Sequence, residues 1–290
     1  LGERDYPRLL AQIADAPPVL GVLGDVAMLG RAAVAIVGSR QASAAGRTMA
    51  RVLAEGLGAA GYVVVSGLAR GVDGIGHAAA LTTGTVAVLA GGVDVVYPRD
   101  HQALYERIVA EGAVVAELPL GVAPQARHFP RRNRIIAGLS LGVVVIEAHE
   151  RSGSLITAQC AVDQGRDVFA VPGSPLDERA RGCNRLIRDG AILIEGARDI
   201  LAVLAASSLR HLDEAPAARP SPRPARASPS IVAPPLSPPG DSAGARPPDR
   251  DTATSRLRRS LSVTPVAVDE LVRTCQLSPA VVNAILLEWE

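Results

Sequence analysis

The feature that narrows the fold most is a unit that recurs along the chain: a short apolar run rich in β-branched residues, a turn of Gly and Ser, then a stretch with helical spacing. Residues 33–37 run into Gly38-Ser39-Arg40 and a helical stretch at 44–60 that stops at Gly61. Residues 62–66 repeat the pattern, with Ser66-Gly67 opening the turn to Asp73 and a helix passing through His77 to Leu81. A third run at 85–89 leads to Gly91-Gly92-Val93-Asp94 and Tyr97-Pro98-Arg99 before a helix at 101–111. Further runs lie at 113–116, 143–146, 168–171 and 191–194, with helices near 154–164 and 181–189 between the last three. Apolar runs without polar alternation are strands buried on both faces. Their alternation with helices predicts an α/β fold, a parallel sheet covered by helices on both sides. In such sheets ligands bind beyond the carboxyl ends of the strands. The Gly- and Arg-bearing turns all fall there, so they are expected to converge on one face.

The stretch 128–158 gives that face a chemistry. Its first part is predicted to be a helix opening at Pro130, with Arg131, Arg132 and Arg134 beside amides that lack helical partners. Positive side chains at the positive end of a helix dipole cost about 0.3–1 kcal/mol each at an exposed site, so an anion is expected to share the space. After the run at 143–146, Ser152-Gly153-Ser154 opens a second helix with backbone bare enough for a phosphate to approach. Two anion-accepting helix ends flanking one strand point to a polyanion.

The formal charge is only +1, so a polyanion site has to be local. All thirty basic residues are arginine, which reflects genome composition as readily as a need for bidentate phosphate contacts. Cys160, Cys183 and Cys275 lack metal-ligand spacing, so neither a metal site nor a disulfide framework is expected, and a cytoplasmic setting fits. The longest apolar run, 135–146, is broken by Gly and Ser and falls short of the ~20 residues that span a bilayer, so no membrane segment is expected. His77, His101, His128 and His149 have no Ser, Cys or ligand partner at useful spacing, so no catalytic residue is expected. The chain opens at Leu1 rather than Met, and further sequence is expected before it.

Each candidate residue has a plainer alternative. Gly38-Ser39-Arg40 is a tight turn or a phosphate-binding turn, since it lacks the full dinucleotide fingerprint. Asp94 caps its turn or orients an arginine. Arg99 and Arg127 are solvated loop charges, or phosphate ligands if their loops share the common face. Phe129, one of two phenylalanines, is a core residue or a platform for a stacked base, a contact worth about 1–3 kcal/mol. Glu147, at a strand end, is the one carboxylate placed to act as a base or touch a ribose hydroxyl; an ion pair with Arg131 or Arg134 is its structural alternative.

Eleven of the twenty-two prolines lie between Pro216 and Pro248, mixed with Ala, Arg and Ser, a composition that cannot offset the entropy of ordering and so reads as a flexible linker. Beyond it a helix is expected at 265–276, with Val268, Leu271 and Val272 inward. Ser278 caps a second helix with Pro279 in its first position. That helix offers Val281, Val282, Asn283, Ile285 and Leu286 rather than basic groups, which favours a packing or protein-contact module over a nucleic-acid reader.

Taken together, these blocks resemble the DNA processing protein A family, also called Smf. The matching residues are 36–40, 66–73 with His77, 91–94 with Tyr97-Pro98, 129–138, 152–158, and 171–173 with Gly182 and Asn184, all in order between Tyr6 and Leu204. The resemblance implies an extended Rossmann-like domain that binds single-stranded DNA without being an enzyme and without a cofactor. It implies a protein that protects incoming strands, deals with single-strand-binding protein, loads the RecA recombinase during natural transformation, and works as a homodimer. Carried over by motif, Gly38, Ser39 and Arg40 grip phosphate with Ser66 and Gly67, while Arg99 and Arg127 extend the pocket. Phe129 stacks a base, and Arg131, Asn133, Arg134, Ser152, Gly153 and Ser154 complete the cradle. The expected organisation is a lead-in at 1–31, the Rossmann-like domain at 32–205, a linker at 206–251 and a truncated winged-helix-like helix-turn-helix module at 252–290. The same superfold resembles, as an alternative, the phosphoribohydrolases that split nucleotide monophosphates with a Pro-Gly-Gly-x-Gly-Thr loop and a glutamate. Residues 152–157 lack the Pro-Gly-Gly portion of that loop.

Overall fold

A computed structural model of the chain describes residues 1–3, 5–213, 250–261 and 266–289. Eight strands form one sheet in the order β1-β5-β4-β3-β2-β6-β7-β8. They are β1 (Gly21–Gly24), β2 (Ala33–Gly38), β3 (Val63–Ser66), β4 (Thr85–Val88), β5 (Ala113–Ala116), β6 (Gly142–Ile146), β7 (Asp167–Ala170) and β8 (Ile192–Leu193). All neighbours are parallel except the edge strand β1, which runs antiparallel to β5 with Gly21 opposite Ala116. The segment before β2 thus supplies an edge strand of the sheet.

The strand residues are sorted with period two although nearly all are apolar. Ala33, Ala35 and Val37 of β2 pack with Ile135, Ile136, Ala158 and Ala161 on one face. Val34 and Ile36 pack with Leu53, Leu57 and Phe169 on the other. The first face is covered by α5 (His128–Gly138) and α6 (Gly153–Asp163), the second by α2 (Ala44–Ala59), α3 (Val72–Ala80) and α8 (Ala197–Asp213). α4 (Gln102–Glu111) covers Ala87 and Val114, and α1 (Arg8–Ala11) lies against α5. Successive strands step outward from β2 to β5, and the chain then returns to lay β6 on the other side of β2. The topological switch lies between β2 and β6, where α/β sheets open a crevice at the carboxyl ends.

The structure departs from the sequence reading in four places. α5 starts at His128 rather than Pro130, so Pro130 sits within the first turn, where its missing N–H is not needed. α8 runs to Asp213, past the expected start of the linker at 206; most of that expected linker falls outside the described residues. A helix absent from the sequence reading, α9 (Arg250–Ser260), precedes α10 (Val268–Cys275) and α11 (Pro279–Trp289). Leu271 is buried in the small core of this module with Ala253, Leu257, Val282 and Ile285, whereas Val268 is exposed rather than inward. Among the described residues no helix is long and apolar enough to cross a membrane, and no cluster of His, Cys, Asp or Glu is arranged to hold a metal.

Candidate nucleic-acid interface

The turn after β2 has to be tight. A Cβ on Gly38 would run into the Ile146 carbonyl of the neighbouring β6. Ser39 is buried, and its hydroxyl accepts the Gln41 amide at 3.1 Å. These contacts turn the chain so that Arg40 projects outward. Its guanidinium lies 5.5 Å from the centroid of the Phe129 ring, and the ring also meets Tyr97 edge-on at 5.7 Å. A second guanidinium, that of Arg132, lies 5.9 Å from the same ring. Phe129, Arg132 and Asn133 share a face of α5 because they are three and four residues apart. Asn133 donates from its amide to the Gly153 carbonyl at 3.3 Å, which joins this face to the first turn of α6. There Ser152 is the N-cap, accepting from the Ser154 amide, while the two hydroxyls lie 2.7 Å apart and Gly153 stays exposed with open space around it. The turn after β2, the inner face of α5 and the start of α6 thus border the switch point together. Arg99 and Arg127 are exposed, and like Arg40 they form no salt bridge among the described residues.

Other expected ligands have different work. Arg131 and Arg134, on the opposite side of α5, both reach Glu117, at 3.0 and 2.6 Å, and Arg134 also meets Asp15 at 3.0 Å. The anion expected at the start of α5 is therefore supplied for these two by the chain's own carboxylates, and Arg134 is enclosed rather than facing the switch. Ser66 is fully buried, its hydroxyl donating to the Ile36 carbonyl at 2.6 Å. The Gly67 amide donates to Asp73 at 3.1 Å, and its carbonyl accepts from Arg132 at 2.8 Å. Neither group is left for a phosphate. Asp94 accepts the Gly121 amide through both oxygens, holding the neighbouring loop.

Glu147 pairs with neither arginine. It adopts a positive φ of 51° and takes the Ser43 amide at 2.8 Å and the Ser43 hydroxyl. Ser43 is the N-cap of α2, so a carboxylate fills the helix end where a dinucleotide-binding fold would place pyrophosphate. The glutamate that a phosphoribohydrolase reading would use as a base is engaged there instead.

Arg132 was legible as part of the arginine run but not as a member of the site. It is buried, donating to the carbonyls of Gly67 and Val88 at two adjacent strand ends. Burial lowers its pKa to about 10, with nearby Asp73 pulling it up and Arg40 pushing it down, so it stays charged at neutral pH. Tyr97 is the other addition; its signals in the sequence were its place beside Pro98 in a loop aimed at this face and its membership of a block that carries the family resemblance. The arrangement offers guanidinium at Arg40 and free amides at the start of α6 to a phosphate, with a half-buried aromatic ring beside Arg40 and the fixed charge of Arg132 next to it.

Fold and site together define an extended Rossmann-type α/β protein with an arginine-aromatic cluster at its switch point and a small helical module after it. The family model described as DNA recombination-mediator protein A matches residues 1–205, and a DprA winged-helix model matches 241–290. The chain belongs to this DprA/Smf family. Protein Smf of Escherichia coli is 46% identical over 199 residues, covering 68% of this chain and 53% of that protein. The chain thus spans about half the length of that relative. DNA processing protein A of Streptococcus pneumoniae superposes with a TM-score of 0.67 at 45% identity, covering 69% of this chain and 71% of that one. The Helicobacter pylori protein, whose structure is described as showing a unique single-stranded DNA binding mode, superposes at 0.65 with 28% identity, covering 70% and 94%.

Proposed function

We propose that the chain binds single-stranded DNA at the β2–β6 switch point as a cytoplasmic, non-enzymatic DNA processing protein. In this reading it shields incoming strands during natural transformation, works as a homodimer, and passes the strand to RecA in place of single-strand-binding protein. The observation that carries it is the Arg40 guanidinium 5.5 Å from the centroid of the Phe129 ring, on the helix that Asn133 ties to the start of α6. The guanidinium lies over the ring. A nucleotide entering the site draws the guanidinium onto its phosphate and offers a base in its place, so one residue answers to the charge and the other to the π-face. Such a site has little sequence preference and a steep salt dependence. The single-strand binding described for the Helicobacter pylori relative supports the same assignment.

Phe129→Ala is expected to weaken oligothymidine binding by about 1–3 kcal/mol, roughly five- to 150-fold, with the salt dependence unchanged. Arg40→Ala is expected to reduce the slope of log K against log salt by about 0.7, the value for one phosphate contact on a single strand. Fluorescence anisotropy across a salt series separates the two effects. Wild-type affinity in both variants would refute the site. The RecA step is read separately, by whether the chain speeds RecA filament formation on strands coated with single-strand-binding protein and whether Arg40→Ala loses that effect.

A further inference from the structure

The groove between the C-terminal module and the sheet domain lies one residue beyond Arg40. We propose that this groove is a second stretch of the same single-strand track, gripping the sugar-phosphate backbone that leaves the Arg40–Phe129 site. The proposal rests on that site being a single-strand site.

The module is seated by named contacts. Asp177 holds the Arg179 guanidinium through two bonds of 3.0 Å. The outer nitrogens of Arg179 donate to the carbonyls of Arg259, at 2.7 Å, and Leu261. Those carbonyls belong to the end of α9, which has no further helical turn to satisfy them, so an arginine of the sheet domain caps a helix of the module. On the other side Thr48 of α2 donates to Glu270 of α10 at 2.8 Å. Between these two fastenings lies a groove of about 390 Å³ lined by Gln41, Arg47, Arg256, Arg259, Thr274 and Gln276 among others.

Its chemistry is one-sided. Three arginines line it and no carboxylate does. Of the acids beside it, Glu270 accepts from Thr48 and Asp177 holds Arg179, while Glu178 lines the adjoining pocket on the far side of Arg259. Arg256 and Arg259 are three residues apart on the exposed side of α9, while Ala253 and Leu257 face the module core. Arg47, Arg256 and Arg259 form no salt bridge among the described residues. Guanidinium groups gathered without a counter-charge repel one another, and a row of phosphates offsets that repulsion. The amide and hydroxyl side chains of Gln41, Thr274 and Gln276 add donors suited to phosphate and sugar oxygens. A duplex fits this surface less well, because α11 presents Val281, Asn283 and Leu287 where a groove-reading helix would carry basic groups.

The test uses the full chain with oligothymidines of about 5 and about 15 nucleotides, lengths that bracket a single site and an extended one. The double variant Arg256→Ala/Arg259→Ala is expected to bind the longer strand at least tenfold more weakly and to lower its salt slope by about 1.4, two contacts at 0.7 each. Binding of the short strand and the thermal unfolding midpoint should stay as in the wild type, and the corresponding double lysine variant should restore most of the long-strand affinity. Wild-type binding of the long strand by the alanine variant, equal losses on both lengths, or a loss confined to duplex DNA would each overturn the proposal. Arg40→Ala on the short strand reports on the first site alone, so a failure of that reading is seen separately.

Discussion

Arg132→Met is expected to destabilise the folded chain by about 3–5 kcal/mol, the usual consequence of removing one member of a buried charged set. The loss has two sources. Asp73 is buried, with burial pushing its carboxyl pKa up, and Arg132 is the nearby charge that works against that rise. The Gly67 and Val88 carbonyls stand at the carboxyl ends of adjacent strands, past the last ladder bonds, and Arg132 is the donor that satisfies both. Methionine fills the volume but leaves a carboxylate without a countercharge and two carbonyls without a donor, each of which costs about 1–3 kcal/mol when buried. Urea unfolding measures the effect. A shift under about 1 kcal/mol would show that the buried charge is dispensable, since surface changes alone stay within about 0.5 kcal/mol. The position also matters to the site. Arg132 lies 5.9 Å from the centroid of the half-buried Phe129 ring, so the charge that anchors α5 to two strands is also the charge beside that aromatic.

What the sequence revealed and what it hid divide along physical lines. The strands and the converging turns were legible because a run buried on both faces leaves an unbroken apolar signature, and because Gly-rich turns fall at strand ends whichever way the chain packs. The jobs of the polar residues were not legible, since they depend on partners far away in the chain. Arg131 and Arg134 looked like phosphate ligands from their place near a helix start; Glu117, fourteen and seventeen residues earlier, takes both. Glu147 looked like a base or a partner for those arginines; Ser43, 104 residues away, claims it. Ser66 and Gly67 sit in a motif whose hydroxyl and amide turn inward to hold the sheet and Asp73. Arg40, Arg99, Arg127 and Gly153 were readable and are left exposed by the fold, because they sit on turns and a helix start whose geometry is set locally, and Phe129 needs no distant partner to present part of its ring. α9 escaped notice because its apolar stripe is thin, two buried residues among arginines and hydroxyls, and its burial depends on α10 and α11.

Between pH 6.5 and about 4.5 the chain is expected to lose about 2 kcal/mol of stability through one histidine, His77. The ring is completely buried on α3, and its pKa falls from 6.5 to about 3, chiefly through burial, with the charges of His101 and Arg132 adding to the shift. Thr85 donates its hydroxyl proton to the Val64 carbonyl at 2.8 Å, so the imidazole Nδ1, 2.7 Å from the same oxygen, must be the donor in that contact. The folded state therefore keeps a neutral ring where the unfolded chain takes up a proton. With the folded value depressed, the stabilisation is complete above pH 6.5 and is lost as pH falls toward 3, at about 1.4 kcal/mol per unit. Asp73, one helical turn earlier, works in the opposite sense: its raised carboxyl binds a proton in the folded state first and returns some stability at the acid end. His77→Asn separates the two, because asparagine can give an amide hydrogen to Thr85 but does not titrate, and Asp73 is common to both chains. The difference in unfolding free energy between wild type and His77→Asn should be flat above pH 7 and should fall steadily below 6.5. A difference that did not change with pH would mean that the imidazole takes up a proton in the fold as readily as in the unfolded chain, and that the cluster around Arg132 is more open to water than its packing indicates.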